Sequence, residues 1–414
     1  MDIVHDRAAG IDISKRDAKV CVRIPGARAG TFSKTVTTYG ATTNEILRLR
    51  HNLEEAAVTV VAMEATGDYW KPFFFLLDET LNVELVNAKQ AKNIPGRKTD
   101  VSDATWLAEL AAHNLLRASF IPPEEIRQLR DLTRLRANLI HERTREYARM
   151  EKTLEGSNIK LSSVTSTLST VSARRILDAL VSGERDPQIL TSLAHTSMIK
   201  KSAALTEALT GRFTDHHAFM VKIHLDRIDQ IDQAMTVLET RIDEVMEPFS
   251  LARELLMTIP GISKNVANTL IAEAGADMTA FPTAGHLASW AGVCPGQNES
   301  AGRVSSAHTR PGNHYLKATL GIAAMSISRS KTTYLAVKYR RIQSHAGAMR
   351  AVVAIENSLL VIAWNMLTKG VAYEELGVDH YDRTNPERAR RRLLHRMESL
   401  GYQPILTPLP TGTT

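Results

Sequence analysis

Cysteine is nearly missing from this chain of 414 residues: Cys21 and Cys294 are the only two, and they stand far apart. That excludes a disulfide framework and a cysteine zinc site, and it fits a reducing cytosol. Long uninterrupted apolar runs are missing too. The most apolar stretch, 351–367, carries Glu356 and Asn357 in its middle, so it reads as a buried helix rather than a membrane span. The first residues include Asp2, His5, Asp6 and Arg7 and no apolar signal core. A soluble cytoplasmic protein (bacterial cytosol or nucleoid) with no membrane partner is expected. Acidic residues are absent from one long window: Ser300 to Ile355 holds no Asp or Glu, yet contains Arg303, Arg310, Lys317, Arg329, Lys331, Lys338, Arg340, Arg341 and Arg350. Solvation alone rarely produces so long a one-signed stretch, which is the electrostatic footprint of a nucleic acid.

What is present is ordinary for a globular chain: 43% hydrophobic and 23% charged residues with a net charge of +6. The length favours two or three folded units, and the charge mildly favours an anionic partner. Strand and helix signals alternate up to about residue 118. Ala18 to Ile24 alternates β-branched residues, 58–63 and 83–86 are short apolar runs, and 103–116 reads as a helix. Pro122-Pro123 breaks the chain, and strand signals nearly vanish until Phe249.

Within that helical stretch, Ile228, Ile231, Met235, Leu238, Ile242, Val245 and Phe249 follow the three-four spacing of a coiled-coil seam. An earlier helix, 125–154, carries Arg127, Arg130, Arg134, Arg136, Arg143, Arg145 and Arg149 with Asp131, Glu142 and Glu146 among them. A salt-bridged solvated face is the favoured reading over direct phosphate binding. Residues 162–172 read as a loop or weak helix. Ile259-Pro260-Gly261-Ile262-Ser263 separates two helical patterns as a helix-hairpin-helix does, and Gly261 permits the turn that would aim backbone amides at a phosphate. A last basic helix is expected with Asn385 as cap, Pro386 first and Gly401 as its stop, followed by a disordered tail.

Four acids sit at element edges. Asp12 lies in an apolar strand, Glu64 closes the apolar run 58–63, and Asp100 and Asp103 are three apart at the start of a helix, just after Lys89, Lys92, Arg97 and Lys98. A carboxylate in a buried strand needs hydration, a partner or a cation. Taken singly each has a bland explanation, and Asp103 has a claim to be a helix cap. Together they suit a two-metal site for Mg²⁺ or Mn²⁺ acting on a phosphodiester. Downstream, Trp290 to Gly302 is rich in turn formers and reads as an exposed loop, with Ser300 between Glu299 and a small Ala-Gly pair. A serine is a weak nucleophile unless activated, and alone it would be an ordinary loop residue. Tyr315, Tyr334 and Tyr339 are placed to stack on bases, although core packing is the favoured role for each.

Gly10-Ile11-Asp12-Ile13-Ser14-Lys15, Glu64-Ala65-Thr66-Gly67 and Lys98-Thr99-Asp100-Val101-Ser102-Asp103-Ala104 resemble the RuvC-like DEDD domain of the insertion-sequence 110 family of transposases. The segment 292–302, with Thr309-Arg310-Pro311-Gly312-Asn313 and Tyr315-Leu316-Lys317 after it, is similar to that family's C-terminal transposase domain, and Ser300 falls at its catalytic serine. Residues 303–308 are less basic than the family pattern. The resemblance, which runs to about Gly370, implies an α/β ribonuclease H-like domain over 1–120, a helical coiled-coil linker or oligomerisation region over 121–250 whose seam would join subunits, and a mainly α transposase domain over 251–372, which holds the helix-hairpin-helix; the basic helix and tail over 373–414 are read from the residues alone. It implies that Asp12, Glu64, Asp100 and Asp103 bind Mg²⁺ (or Mn²⁺) while Ser300 forms a covalent phosphoserine. It further implies a structured guide RNA, donor and target DNA, and a homotetramer on DNA. Lys98, Gly261, Arg303, Arg310, Lys317, Arg340 and Arg341 are the candidate nucleic-acid contacts. The rivals are a hydrolytic Holliday-junction-type resolvase using the same acids, a sugar kinase, and a non-catalytic scaffold. The kinase would need glycine-rich phosphate loops that 119–250 lacks.

Overall fold

The computed structural model describes residues 3–28, 30–65, 67–87, 94, 102–296, 298–300, 303–306 and 308–403, with the side chains of 196–197, 298–300 and 303–306 left aside. The chain divides into two compact units, Met1–Ile121 and Pro122–Thr414.

The first unit is built on a five-stranded sheet of order β3-β2-β1-β4-β5. Its strands are β1 Ala8–Ile13, β2 Asp17–Pro25, β3 Phe32–Gly40, β4 Val60–Glu64 and β5 Val83–Val86, with helices α1 Thr43–Glu55, α2 Trp70–Leu77 and α3 Asp103–Ala112. The first three strands form an antiparallel meander, and β4 and β5 run parallel to β1. That mixed order is compatible with a ribonuclease H-like domain. Side-chain alternation sorts the two faces. Ala9, Ile11, Val61, Met63 and Leu85 pack with Ile46, Leu49 and Leu53 of α1 and Phe73 and Leu77 of α2. Ala8, Val60, Ala62 and Val86 pack with Leu107, Leu110 and Ala111 of α3. Each such large aliphatic side chain contributes about 1.5–3 kcal/mol on full burial. Helix α3 ends at Ala112, short of the expected 116, because Asn114 turns into the left-handed region at φ 53°.

Among the described residues, the second unit is helical apart from one hairpin. Its long helices are α4 Glu124–Gly156, α5 Val171–Val181 and α6 Asp215–Val245. Arg136 meets Glu239, Arg143 meets Asp232 and Glu146 meets His224, so α4 and α6 run antiparallel. Ile228, Met235, Leu238 and Ile242 are buried along this helix pair. The seam therefore packs within the chain; a subunit-joining role for it is not needed to hide these residues. The arginine helix is salt-bridged, as its interleaved acids suggest, but its partners lie mainly on other helices.

Then follow α7 Ser250–Met257, α8 Lys264–Ala274, α9 Ala284–Ala291, the hairpin β6 Asn298–Ser300 and β7 Arg303–Ser306, α10 His314–Arg329, α11 Tyr334–Ala346, α12 Ala348–Lys369, α13 His380–Thr384 and α14 Pro386–Ser399. Helix α12 is long and apolar enough by composition to cross a membrane. Its Ile355, Leu359, Leu360 and Ala363 are nevertheless fully buried against neighbouring helices, with Glu356 among them. Asn385 caps α14 by accepting from the Arg388 amide at 3.0 Å, and Gly401 follows at φ 85°.

Candidate active site

Parallel pairing of β1 with β4 sets Gly10 beside Ala62 and Ile11 beside Met63. The next step of that register puts Asp12 beside Glu64, at the carboxyl ends of both strands. Both acids are half-buried and share the α3 side of the sheet with Gly10 and Ala62. Helix α3 runs back along β1: the Val4 and His5 amides bond Ala112 O, and a Cβ on Gly10 would lie 2.1 Å from Ala104 O. The start of α3, and with it Asp103, therefore lies at the Asp12 end. Asp103 is not the cap. Ser102 accepts from the Thr105 amide at 3.3 Å, which leaves Asp103 as the first helical residue, where the helix dipole favours an anion.

Asp100 and Lys98 lie outside the described residues. Among the described residues no three Asp, Glu, His or Cys side chains form a group close enough for a metal. The donor chemistry still fits a hard divalent cation, since carboxylate oxygens share one face at one end of the sheet. Burial pushes the thiol of Cys21, on the same face, above its ordinary range.

Sequence reading missed two basic groups here. Lys19 pairs with Asp12 across β1 and β2, is exposed, and has no carboxylate within ion-pair distance among the described residues. Two pleats on, Arg23 is 2% exposed, lies 3.5 Å from the centre of the Phe32 ring, and pairs with Glu109 of α3 at 3.4 Å. Glu109 also takes Lys34 at 2.7 Å. Although burial opposes it, Lys34 and Arg23 hold the Glu109 carboxyl below its ordinary value. The signal was available: Lys19, Cys21 and Arg23 alternate onto the helix-covered face of a strand.

Ser300 stands at the end of β6, paired with Arg303 of β7. The expected open loop is thus partly a hairpin, closed below by the Pro295–Thr309 bridge and by Gly296 N donating to His308 O at 2.8 Å. Gly292, at φ 76°, ends α9, and a Cβ on Gly312 would fall 2.4 Å from its nitrogen, so both motif glycines are needed for close approach. Lys317 ties this base together by donating to Thr309 Oγ1 at 2.7 Å and Gly292 O at 3.3 Å. Asn313 caps α10 and donates to Glu273 at 2.5 Å. Glu273, fully buried, accepts from Nε and Nη2 of Arg134 at 2.7 and 2.8 Å. The hairpin therefore stands on a scaffold of α4, α8 and α10. A cleft of about 900 Å³ runs past its base, lined by Pro295, Thr309, Lys338 and Arg350 among others.

The other candidate contacts are placed differently. Gly261 sits at φ 85° where a Cβ would lie 2.6 Å from Ile327, so packing against α10 accounts for it, and Ser263 caps α8. Arg310 is exposed. Arg340 donates to Ser330 O at 2.8 Å, and Arg341 lies 4.1 Å over the Tyr381 ring. The side chain of Arg303 lies outside the described residues. All three tyrosines pack internally: Tyr339 is buried, Tyr334 stacks on Tyr381, and Tyr315 faces Arg134.

Comparison with known proteins agrees in both units. A family model described as transposase, of the DEDD IS110 type, matches residues 9–159. A second, described as transposase IS116/IS110/IS902 family, matches residues 253–340. The chain is 29% identical over 148 residues to the insertion element IS110 uncharacterized 43.6 kDa protein of Streptomyces coelicolor, a match covering 35% of each protein. It is 28% identical over 305 residues to the insertion element IS900 uncharacterized 42 kDa protein of Mycobacterium paratuberculosis, covering 67% of this chain and 73% of that one.

Proposed function

The chain belongs to the IS110 family of transposases, and from that premise we propose that it cuts and rejoins DNA through a covalent phosphoserine at Ser300. Asp12, Glu64 and Asp103, joined by Asp100, would hold the divalent cations. A bound cation of this kind polarises a scissile phosphate and offsets charge on its oxygens. Lys19, beside Asp12, and the hairpin residues Lys15 and Arg16 supply positive charge for the strand backbone at the same edge.

In the first step the Ser300 hydroxyl oxygen bonds phosphorus, its proton is lost to a base, and the strand terminus leaves as a protonated hydroxyl. In the second, a hydroxyl of the exchanged strand attacks the phosphoserine and releases the serine. The number of phosphodiester bonds is conserved, so rejoining needs no external energy source. The observation that supports its metal site is the register of β1 and β4, Gly10 beside Ala62 and Ile11 beside Met63, whose next step would bring Asp12 alongside Glu64 at the end of the sheet where α3 begins; the serine step rests on the family resemblance. The family resemblance extends the reading to a structured guide RNA and to a homotetramer on donor and target DNA.

The competing reading is hydrolytic cleavage, in which water replaces the serine and the same acids serve. Denaturing electrophoresis of labelled DNA after reaction separates the two. Wild type should give a protein–DNA adduct, Ser300→Ala should bind DNA yet give neither adduct nor joined strands, and Ser305→Ala and Ser306→Ala should stay active. Wild-type cutting by Ser300→Ala would replace this reading with hydrolysis.

A further inference from the structure

The basic C-terminal helix is not used by the chemistry above, and it lies beyond both matched segments, the second of which ends at residue 340. Helix α14 buries no side chain. Only its Ala389 and Leu394 are half-buried. Leu393, Met397 and Leu400 point to solvent, at 58%, 38% and 68% exposure. Arg388, Arg391, Arg392 and Arg396, at helical three-four spacing, instead line an open cleft of about 1000 Å³ whose other wall includes Arg341 of α11. The sole acid lining it, Asp382, is paired with Arg392 at 3.0 Å. Arg341, Arg388, Arg391 and Arg396 have no carboxylate partner among the described residues.

Surface helices ordinarily turn the apolar stripe inward. Here Arg388, Arg391 and Arg396 of α14 share one cleft with Arg341 of α11, and guanidinium groups do not lose their charge. Like charges gathered in one cleft repel unless an anion lies among them, and planar guanidinium forks match phosphate oxygens. We infer that this cleft binds the sugar–phosphate backbone of a single nucleic-acid strand. The inference rests on reading the chain as a nucleic-acid enzyme. A single strand is preferred because the arginines line the interior of a cleft near the upper end of the range that encloses small ligands, about 300–1,000 Å³. The phosphates of one strand enter such a space, whereas those of a duplex meet only its mouth.

Fluorescence anisotropy of the full-length protein with one labelled sequence, as single-stranded DNA, single-stranded RNA and duplex, tests this across a salt series. The variant Arg388→Ala/Arg391→Ala/Arg396→Ala should bind at least one of the single strands about tenfold or more weaker. Its salt slope should fall by about 2, from roughly 0.7 per phosphate contact. Duplex binding should be unchanged, and the single strand more affected identifies the occupant as DNA or RNA. The control Leu393→Ser/Met397→Ser alters only the outward face and should keep the wild-type slope. Unchanged slopes in the arginine variant, an equal loss on duplex, or an equal loss in the control overturns the inference while wild type still binds. If wild type binds no nucleic acid, the parent reading falls as well.

Discussion

Gly10→Ala tests the geometry that brings the acids together. A methyl group there would sit 2.1 Å from Ala104 O, 2.4 Å from Ala108 N and 2.9 Å from Leu107 Cβ. Ordinary nonbonded separations are about 3.5 Å, so α3 must retreat from the sheet by roughly 1 Å. Overpacking of this kind costs about 1–3 kcal/mol, or roughly 4–12 °C in Tm for a unit of this size. The retreat has a second consequence, because Asp103 precedes Ala104 at the start of the same helix. A misplacement of about 1 Å at a reacting centre is worth on the order of 10²-fold in rate. Cleavage at 25 °C, where the variant remains folded, should therefore fall by about that factor, with Tm followed by thermal denaturation. Gly156→Ala, with nothing within 4 Å of the added atom, is the matched control and should be near neutral. A Gly10→Ala protein with wild-type Tm and cleavage rate would refute the helix–sheet packing on which the acid placement depends.

Replacing Asp12, Glu64, Asp100 or Asp103 singly by Ala should abolish cleavage and leave DNA affinity within about twofold; undiminished wild-type cleavage in EDTA would remove the metal assignment. Leu238→Asp puts a charge into the α4–α6 seam and should lower stability by about 3–5 kcal/mol in denaturant melts, whereas light scattering showing subunit loss with intact folding would make the seam intermolecular. Glu109→Ala strands the buried Arg23 and should cost about 3–5 kcal/mol. Because its folded pKa is depressed, Glu109 stabilises fully above the ordinary carboxylate range and loses that contribution as pH falls through the folded value, so the variant should show a flatter acid limb in stability against pH.

The strands with a local signature were legible. The run 83–86 is β5, the alternation at 18–24 is the middle of β2, and the cap, proline and glycine around α14 define it to within a residue or two. The third strand was not foreseen: Phe32–Gly40 is mostly exposed and polar, and only its pairing with β2 makes it a strand. The hairpin at Ser300 was hidden for a related reason. Its turn formers announce a reversal, but the Pro295–Thr309 bridge and the Gly292–Gly312 approach that close it are nonlocal. At the acids, residue type and order were readable, whereas neighbourhood was not. No spacing rule places residue 64 beside residue 12; register does. The same limit misassigned Asp103 as a possible cap, since Ser102 competes for that role and only the backbone decides between them.

Counting arginines would place the nucleic acid on α4, which carries more of them than any other helix. Their partners argue otherwise. Arg130 and Arg134 are committed to Glu273, Arg136 to Glu239 and Arg143 to Asp232. A phosphate arriving there would have to displace a carboxylate, and for Arg134 one that is fully buried and would be left without its charge partner. Lys317, which the one-signed window nominated, is likewise spent on Thr309 and Gly292. Among the described residues, exposed cations outside ion pairs sit mainly elsewhere: Lys19 on β2, Arg310 near the hairpin base, and Arg388, Arg391 and Arg396 of α14. Counterion release is driven by cations that are not already neutralised. The salt dependence of binding should therefore follow these positions rather than the paired arginines of α4, and Arg136→Ala or Arg143→Ala should leave the slope where wild type has it.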